Sequence, residues 1–492
     1  VVRETNTSVV LLTGDRAYKL KKPVDLGFLD FRTADARRDA CRIEVDLNRR
    51  LAPDVYLGAA AIVGSDGEVF DHAVVMRRMP EDRRLASLVA GGAASDDDVR
   101  AIARLMVSFH TRAPRGVHIN DVAFGGLAKR WRDNLRETRR YRGDLLDTRV
   151  HDRIDRLSTG YVAGRQQLFA ARAAAGLAVD GHGDLTTMDV FCLSDGPRAL
   201  DCLEFDERLR LVDVVDDIAF LAMDLEHLGR RDLSDRLLGW YLEFSGYPSV
   251  TSLEHHYIAY RAFVRAKVAC IRATQGDTTA PGDVRSYASI ALDHLEAGQV
   301  TLLLVGGAPA TGKTTLAGAI ADEYGWVHLS TDAVRRELDL PVSTRYSGAG
   351  KQAAYDALLQ RARQALARGE SVVADATWSD VDSRAAAAEV ARETASRFVA
   401  VECQAPVDLA AARASHRNNL DYSEAGSDVA RLLSAARAPW PQAIAVDTSG
   451  ALMDALDAAL AALDASPAGV PGPTTEIDTT VSRVAAPKTQ RT

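Results

Sequence analysis

The chain has 492 residues, 47% of them hydrophobic and 26% charged, with 60 Lys and Arg against 68 Asp and Glu for a net charge of −8. That length exceeds one ordinary core and is expected to form two domains, and the acidic balance argues against a general nucleic-acid or membrane-surface binder, with a local basic patch left open. Five widely spaced cysteines, Cys41, Cys192, Cys202, Cys270 and Cys403, include no Cys-x-x-Cys pair, so neither a disulfide framework nor a zinc site is indicated and a reducing, cytoplasmic setting is expected. No apolar run approaches membrane-spanning length, and Val1 to Asn6 carries no signal-peptide pattern. The missing initiator methionine leaves the natural start open.

Ser8 to Thr13 and Arg16 to Leu20 read as two short strands joined by a Gly14-Asp15 turn. Asp35 to Arg50 has helical apolar spacing through Ala36, Ala40, Ile43 and Leu47, with Glu44 able to face inward. Tyr56 to Val63 and Glu68 to Met76 read as two further strands, completing a small strand-rich lobe with one helix. A strand lysine paired with a helix glutamate is how protein-kinase-like folds hold the α- and β-phosphates of ATP, which makes Lys19 and Glu44 candidates. Their plainer reading is a pair of solvated charges. No G-x-G-x-x-G precedes them.

Helical segments are expected at Leu127 to Tyr141, Asp152 to Ala175, Arg230 to Phe244 and Glu254 to Thr274. Between the second and third lies Gly181-His182-Gly183-Asp184-Leu185-Thr186-Thr187-Met188-Asp189, then Leu200-Asp201-Cys202-Leu203-Glu204-Phe205. Acidic residues at the ends of short apolar stretches suit phosphoryl transfer, in which one carboxylate takes the acceptor's hydroxyl proton and two others hold Mg²⁺. Asp184 fits the base; Asp189 and Asp201 fit the metal. In the fourth helix, Arg261, Arg265 and Lys267 are either cations for an anionic substrate or a salt-bridged helix face. Pro281-Gly282 is expected to break the helices, and Val284 to Ala297 to form the last one before a border near residue 298.

His182-Gly-Asp184-Leu with Asp189, and Leu200-Asp201-Cys-Leu-Glu204-Phe, resemble the catalytic and metal loops of aminoglycoside-phosphotransferase-like kinases. Val214 to Glu226 resembles the helix that closes that site, and Tyr18 to Phe31 resembles the N-lobe of the subgroup fused to a P-loop kinase. The resemblance implies a two-lobed protein-kinase-like domain. The chain departs from the family pattern at Asp189, usually Asn, and at Thr186, commonly His; the added carboxylate beside Asp184 is expected to raise one of the two pKa values. A kinase-like domain that serves only as a regulatory module stays open, since fold alone does not establish activity.

The apolar run Thr301 to Gly306 leads into Gly307-Ala308-Pro309-Ala310-Thr311-Gly312-Lys313-Thr314, then Thr315 and the helix-forming Leu316 to Glu323. Strand, glycine-rich turn and helix together specify a phosphate-binding P-loop. Gly307 and Gly312 let backbone N–H groups turn toward a phosphate at the positive end of the helix. Lys313 would reach the β- and γ-phosphates, and Thr314 would offer a hydroxyl to Mg²⁺. Trp326 to Ser330 reads as a second strand with Asp332 and Arg335 just beyond it, one placed as base and the other as anchor for an anionic acceptor. Ser371 to Asp375 reads as a third strand ending in a carboxylate for the metal's water shell. Phe398 to Cys403 is a fourth, followed by a helix with Arg413 and, one turn on, Arg417, cations able to offset phosphoryl charge or to be ordinary surface residues. Asn418 to Ser427 is polar and suits a lid. The stretch from Ser466 onward lacks periodicity and is expected to be a disordered tail.

These motifs resemble P-loop kinases of the gluconate-kinase, zeta-toxin and polynucleotide-kinase type over most of residues 299 to 464. The resemblance implies a doubly wound five-stranded parallel sheet with a lid, Asp332 as base and Arg335 at the acceptor. The expected architecture is therefore α+β followed by α/β: residues 1–298 kinase-like, 299–465 P-loop kinase, 466–492 tail. The expected activity is ATP- and Mg²⁺-dependent phosphorylation of a small hydroxyl compound, with no membrane partner and an oligonucleotide end still open as acceptor. The competing expectation is an ATP hydrolase or switch whose first domain is a sensor. The oligomeric state is left open.

Overall fold

The computed structural model describes residues 2–4, 7–25, 30–338, 347–415 and 438–465. Its first part opens with strands β1 (Val2–Glu4), β2 (Ser8–Thr13) and β3 (Arg16–Lys21), helix α1 (Ala34–Asn48), and strands β4 (Tyr56–Val63) and β5 (Val69–Arg77). The strands form one antiparallel sheet in the order β1-β2-β3-β5-β4. Glycine at position 14, with φ 55°, makes the β2–β3 turn, and Thr33 caps α1 by accepting from Ala36 N. Cys41 and Val45 of α1 pack against Ala17, Tyr56 and Val74 of the sheet. That packing turns Glu44, between them, toward the same side.

A helical lobe follows: α2 (Leu85–Ala90), α3 (Asp96–Arg112), α4 (Val117–Asn120), α5 (Leu127–Thr138), α6 (Thr148–Gly164) and α7 (Gln166–Ala174), then α8 (Val214–His227), α9 (Arg231–Ser245), α10 (Thr251–Thr274) and α11 (Ala280–Ala297). Two small hairpin-like pairs lie between α7 and α8: β6 (Ala178–Asp180) with β9 (Leu211–Asp213), and β7 (Val190–Leu193) with β8 (Gly196–Ala199). The loops of interest hang from these short strands. The single helix expected over 152–175 is instead two, interrupted at Arg165, and Pro281 sits in the first turn of α11, where its missing N–H costs nothing, so that it starts the helix it was expected to precede.

The second part consists of β10 (Thr301–Gly307), α12 (Lys313–Tyr324), β11 (Val327–Ser330), α13 (Thr331–Glu337), α14 (Gly348–Ala367), β12 (Val372–Asp375), α15 (Val381–Glu393), β13 (Arg397–Gln404), α16 (Val407–Ser415), β14 (Ile444–Asp447) and α17 (Leu452–Ala465). Its five strands are all parallel, in the order β11-β12-β10-β13-β14. Alternation along β10 divides its side chains between faces: Leu303 and Val305 pack with Leu316 and Ile320 of α12, whereas Leu302 and Leu304 face Tyr355 and Leu358 of α14. This second face is continuous with the core of the helical lobe, so the two parts share one hydrophobic cluster.

Candidate functional site

The P-loop geometry follows from its local sequence. Gly307 and Gly312 have φ of 144° and 92°, and Ala310 takes φ 64°, which bends the chain back around a concave backbone. Gly312 caps α12 without a side-chain hydrogen bond, which leaves the first-turn N–H groups to a ligand. A Cβ at Gly307 would stand 2.7 Å from the Cys403 carbonyl, so glycine is required there. Ala308 and Pro309 line the buried start of the loop, Thr311 Oγ1 donates to Ala308 O at 2.8 Å, and Thr315 lies exposed in the first helical turn.

Register then brings distant residues to this loop. Asp375, the last residue of β12, pairs with Val305 of β10 on one side and with Ser330 of β11 on the other. Its buried carboxylate accepts from Thr314 Oγ1 at 2.6 Å. Lys313 Nζ donates to Ala308 O at 2.9 Å. Burial pushes the Asp375 carboxyl up against the opposing charge of Lys313, the Thr314 hydrogen bond and His328, and Asp332 adds to the upward push. Asp332 and Arg335 start α13 immediately after β11, and the Arg335 guanidinium donates to Asp332 Oδ1 at 2.5 Å. Arg335 is thus held on the carboxylate instead of standing apart from it. Arg413 donates to Thr448 O at 2.9 Å beside Gly312. Arg417 and the expected lid lie outside the described residues.

Sequence reasoning missed His328, whose Nε2 is 3.9 Å from Asp375 Oδ2. Its position two residues before Ser330 on β11, and so on the same face, was the available signal.

A second carboxylate-rich site lies in the first part. Lys19 Nζ is 2.9 Å from Glu44 Oε1 and 2.5 Å from Asp201 Oδ1. Lys21, which shares a face of β3 with Lys19, reaches Glu44 Oε2 at 2.5 Å and also pairs with Glu204. Neither Lys21 nor Glu204, which belongs to the Leu200–Phe205 motif, is given a role of its own by the sequence, although the i, i+2 spacing of the lysines carried the hint. Burial alone would lower the Lys19 pKa, yet Asp201 and then Glu44 raise it well above its usual value. Asp201 adopts φ 66° and its N–H donates to Tyr56 OH at 3.2 Å.

The catalytic-type loop is held from below by α8. Asp217, fully buried, accepts from His182 N at 2.7 Å and Gly183 N at 2.8 Å and bonds the His110 ring at 3.0 Å. Burial would push its carboxyl up, but the His110 ring outweighs this and holds it well below the usual range. Arg261 is neither solvated nor turned to a substrate: it donates to Asp216 Oδ1 at 2.6 Å and Gly183 O at 3.1 Å. Lys267 bonds Asn134 and Glu137, and Arg265 lies near enough to Asp184 for each charge to act on the other. Asp189 accepts from Thr186 Oγ1 at 2.5 Å and is pushed up to about 7 by burial first and by Asp201 second. The expected rise is therefore present, but neighbouring Asp184 is only a lesser cause.

Among known proteins, the family described as an AAA domain matches residues 302–439. Uncharacterized proteins of Mycobacterium tuberculosis and Mycobacterium bovis are each 44% identical over 460 residues, covering 91% of this chain and 92% of theirs. Among solved structures, a gluconokinase from Sinorhizobium meliloti is 19% identical over 34% of this chain and 92% of its own, with a TM-score of 0.26. A choline kinase from Cryptosporidium parvum is 11% identical over 60% of this chain and 89% of its own, with a TM-score of 0.38. Among the described residues, no helix is long and apolar enough to cross a membrane, and all five cysteines are free and buried.

Proposed function

The chain belongs to the family of these mycobacterial proteins, and from that premise we propose that it is an ATP-dependent phosphotransferase whose P-loop site phosphorylates the hydroxyl group of a small molecule. The observation that carries this reading is the contact between Thr314 and Asp375 beside Lys313, at the mouth of a glycine-bent loop. A hydroxyl and a carboxylate joined there form a hard-oxygen pair suited to Mg²⁺, with water and phosphate completing its shell. Bound there, Mg²⁺ would neutralise charge on the nucleotide phosphates.

In this reading the uncapped N–H groups of α12 and the Lys313 ammonium hold the phosphates. Asp332 accepts the acceptor's hydroxyl proton, and Arg335, bonded to it, fixes the orientation of its carboxylate. Arg413, beside Gly312, adds positive charge on the opposite side of the loop. The acceptor class is a sugar, amino sugar or nucleoside-like alcohol. The test is ATP consumption with mass-spectrometric detection of phosphorylated product across such a library, for wild type, Lys313→Ala and Asp184→Ala. Product lost with Lys313→Ala alone supports the reading; ATP loss at one rate regardless of acceptor, with no phosphorylated product, sinks it in favour of a hydrolase or switch.

For the first site a sensor and a second kinase are the two competing readings. Lys19 is paired with Glu44 and with Asp201, and in the metal-free site burial first and the Asp201 charge second raise the Asp189 carboxyl to about 7. Titration of the full chain carrying Lys313→Ala with Mg-ATP separates the cases: binding lost on Asp201→Ala supports a live nucleotide site, and no binding supports the sensor.

A further inference from the structure

Where the helical lobe meets the P-loop sheet, a cavity of about 580 Å³ opens between α6, the C-terminal end of α11 and the turn from α15 into β13. The chain as a whole carries −8, yet this lining holds four arginines, Arg156, Arg165, Arg392 and Arg397, against one carboxylate, Glu393. That carboxylate is engaged by Arg363, outside the lining, at 2.8 Å. Arg392 is likewise engaged by Glu389, outside the lining, so the positive excess is carried chiefly by the buried Arg165.

Arg165, in the break between α6 and α7, is 1% exposed. It donates to Gly164 O at 3.1 Å, to Thr394 O and to Ser396 Oγ at 3.3 Å, and among the described residues no carboxylate pairs with it. Carbonyls solvate a guanidinium without neutralising it, and its Nε has no hydrogen-bond partner. Burial pulls its pKa down to about 10, as expected of a cation without a counter-ion. His256, also in the lining and 1% exposed, stacks on Tyr161 at 4.3 Å. Its Nε2 accepts the Trp131 indole N–H at 3.1 Å, and an indole only donates, so the imidazole proton sits on Nδ1. Nδ1 has no partner either. A buried cation and a buried donor therefore flank one cavity, both short of an acceptor.

We propose that this cavity binds a small organic phosphate that acts as an effector of the P-loop half. Guanidinium forks match phosphate oxygens, the walls at Leu157, Tyr161 and Leu295 suit a carbon body, and the volume is in the range of small-molecule sites. Neither Asp184 nor Asp332 lines it, so the ligand is not a phosphoryl acceptor. The route to the P-loop is short. β13 begins at Arg397 in the cavity wall and runs in parallel register beside β10 as far as the Gly307–Cys403 pair. On the other side, a Cβ at Gly164 would collide with Thr394 O, so helix end and turn already touch.

The test is hydrogen exchange read by mass spectrometry on the full chain carrying Lys313→Ala, which weakens phosphate binding by the P-loop itself. The probes are inorganic phosphate and glucose 6-phosphate, compared with glucose and with sodium chloride at equal ionic strength. Either phosphate is expected to slow exchange several-fold in residues 156–165 and 391–397, glucose and chloride to leave it unchanged, and the rim variant Arg156→Gln/Arg392→Gln to raise the half-saturating concentration about tenfold. Arg165→Met should abolish the response; the exposed rim variant decides the matter if that buried change unfolds the chain. Slowing confined to residues 307–315, slowing by glucose alike, no slowing at millimolar phosphate, or indifference to the rim variant overturns the proposal. Turnover is not the readout, so the outcome is independent of the proposed phosphotransferase activity.

Discussion

The two candidate sites handle charge by different means. The P-loop site is made mainly of backbone, the eight residues from Gly307 to Thr314 bent by positive φ at Gly307, Ala310 and Gly312, with Asp375 added at the rim. The site in the first part is made of side chains from three distant segments, and its lysines are already matched: Lys19 to Glu44 and Asp201, Lys21 to Glu44 and Glu204. At the first site phosphates would compete with Asp201 for Lys19, whose pairing with Glu44 is itself the arrangement a kinase-like site uses, whereas at the P-loop they meet N–H dipoles that no side chain caps. Similar chemistry read from sequence thus leads to unequal readiness for an anion.

The largest test of that contrast is Lys313→Ala, expected to lower phosphorylated-product formation by roughly 10³-fold through loss of phosphate positioning. Asp184→Ala is expected to stay within about twofold of wild type in the same mass-spectrometric assay if the first part is a sensor. An equal drop in both would erase the contrast. Next, Asp332→Asn removes the proposed proton acceptor and should lower kcat by about 10²-fold with little change in KM, measured by steady-state kinetics. A rise in KM alone would assign Asp332 to acceptor binding.

The ion-pair cluster is tested by Lys21→Met. Glu44 keeps Lys19 but loses its second cation while fully buried, so urea unfolding should show a loss of about 2–3 kcal/mol. No loss would mean that Lys19 alone satisfies Glu44. The smallest effect concerns pH. An Asp189 carboxyl raised to about 7 disfavours the folded state as it ionises: the penalty is absent below the unfolded pKa near 4, grows between there and about pH 7, and is complete above. Asp189→Asn should therefore stabilise the protein at pH 8 but not at pH 4, by about 1 kcal/mol after discounting for the water its carboxyl still reaches. Equal effects at both pH values would remove ionisation as the cause.

The same contrast governs what could be read from the residues. A P-loop is legible because strand, turn and helix are contiguous and each residue's role is set within a few positions. Asp375 was legible too, as a carboxylate ending an apolar strand. The Lys19–Glu44 pair was foreseen only as one candidate among solvated charges, since nothing local says that α1 lies across β3. Lys21 and Glu204 escaped for that reason, and so did the bond that ties Arg335 to Asp332, which depends on side-chain orientation at the start of α13.

Arg165 marks the limit most clearly. The periodicity of residues 152–175 is helical throughout, and although Gly164 lies beside the break, a single glycine is tolerated inside a helix and does not by itself place one there. Only the docking of Gly164 against Thr394 and the burial of Arg165 against the turn before β13 explain the interruption. What the sequence determined by itself were the longer helices, the main strands of both sheets and the phosphate loop, because these are set by side-chain periodicity and by backbone freedom at single residues. Which face of the parallel sheet joins the helical lobe, and which charges meet across that junction, were decided by tertiary structure alone, because they depend on contacts between residues hundreds of positions apart.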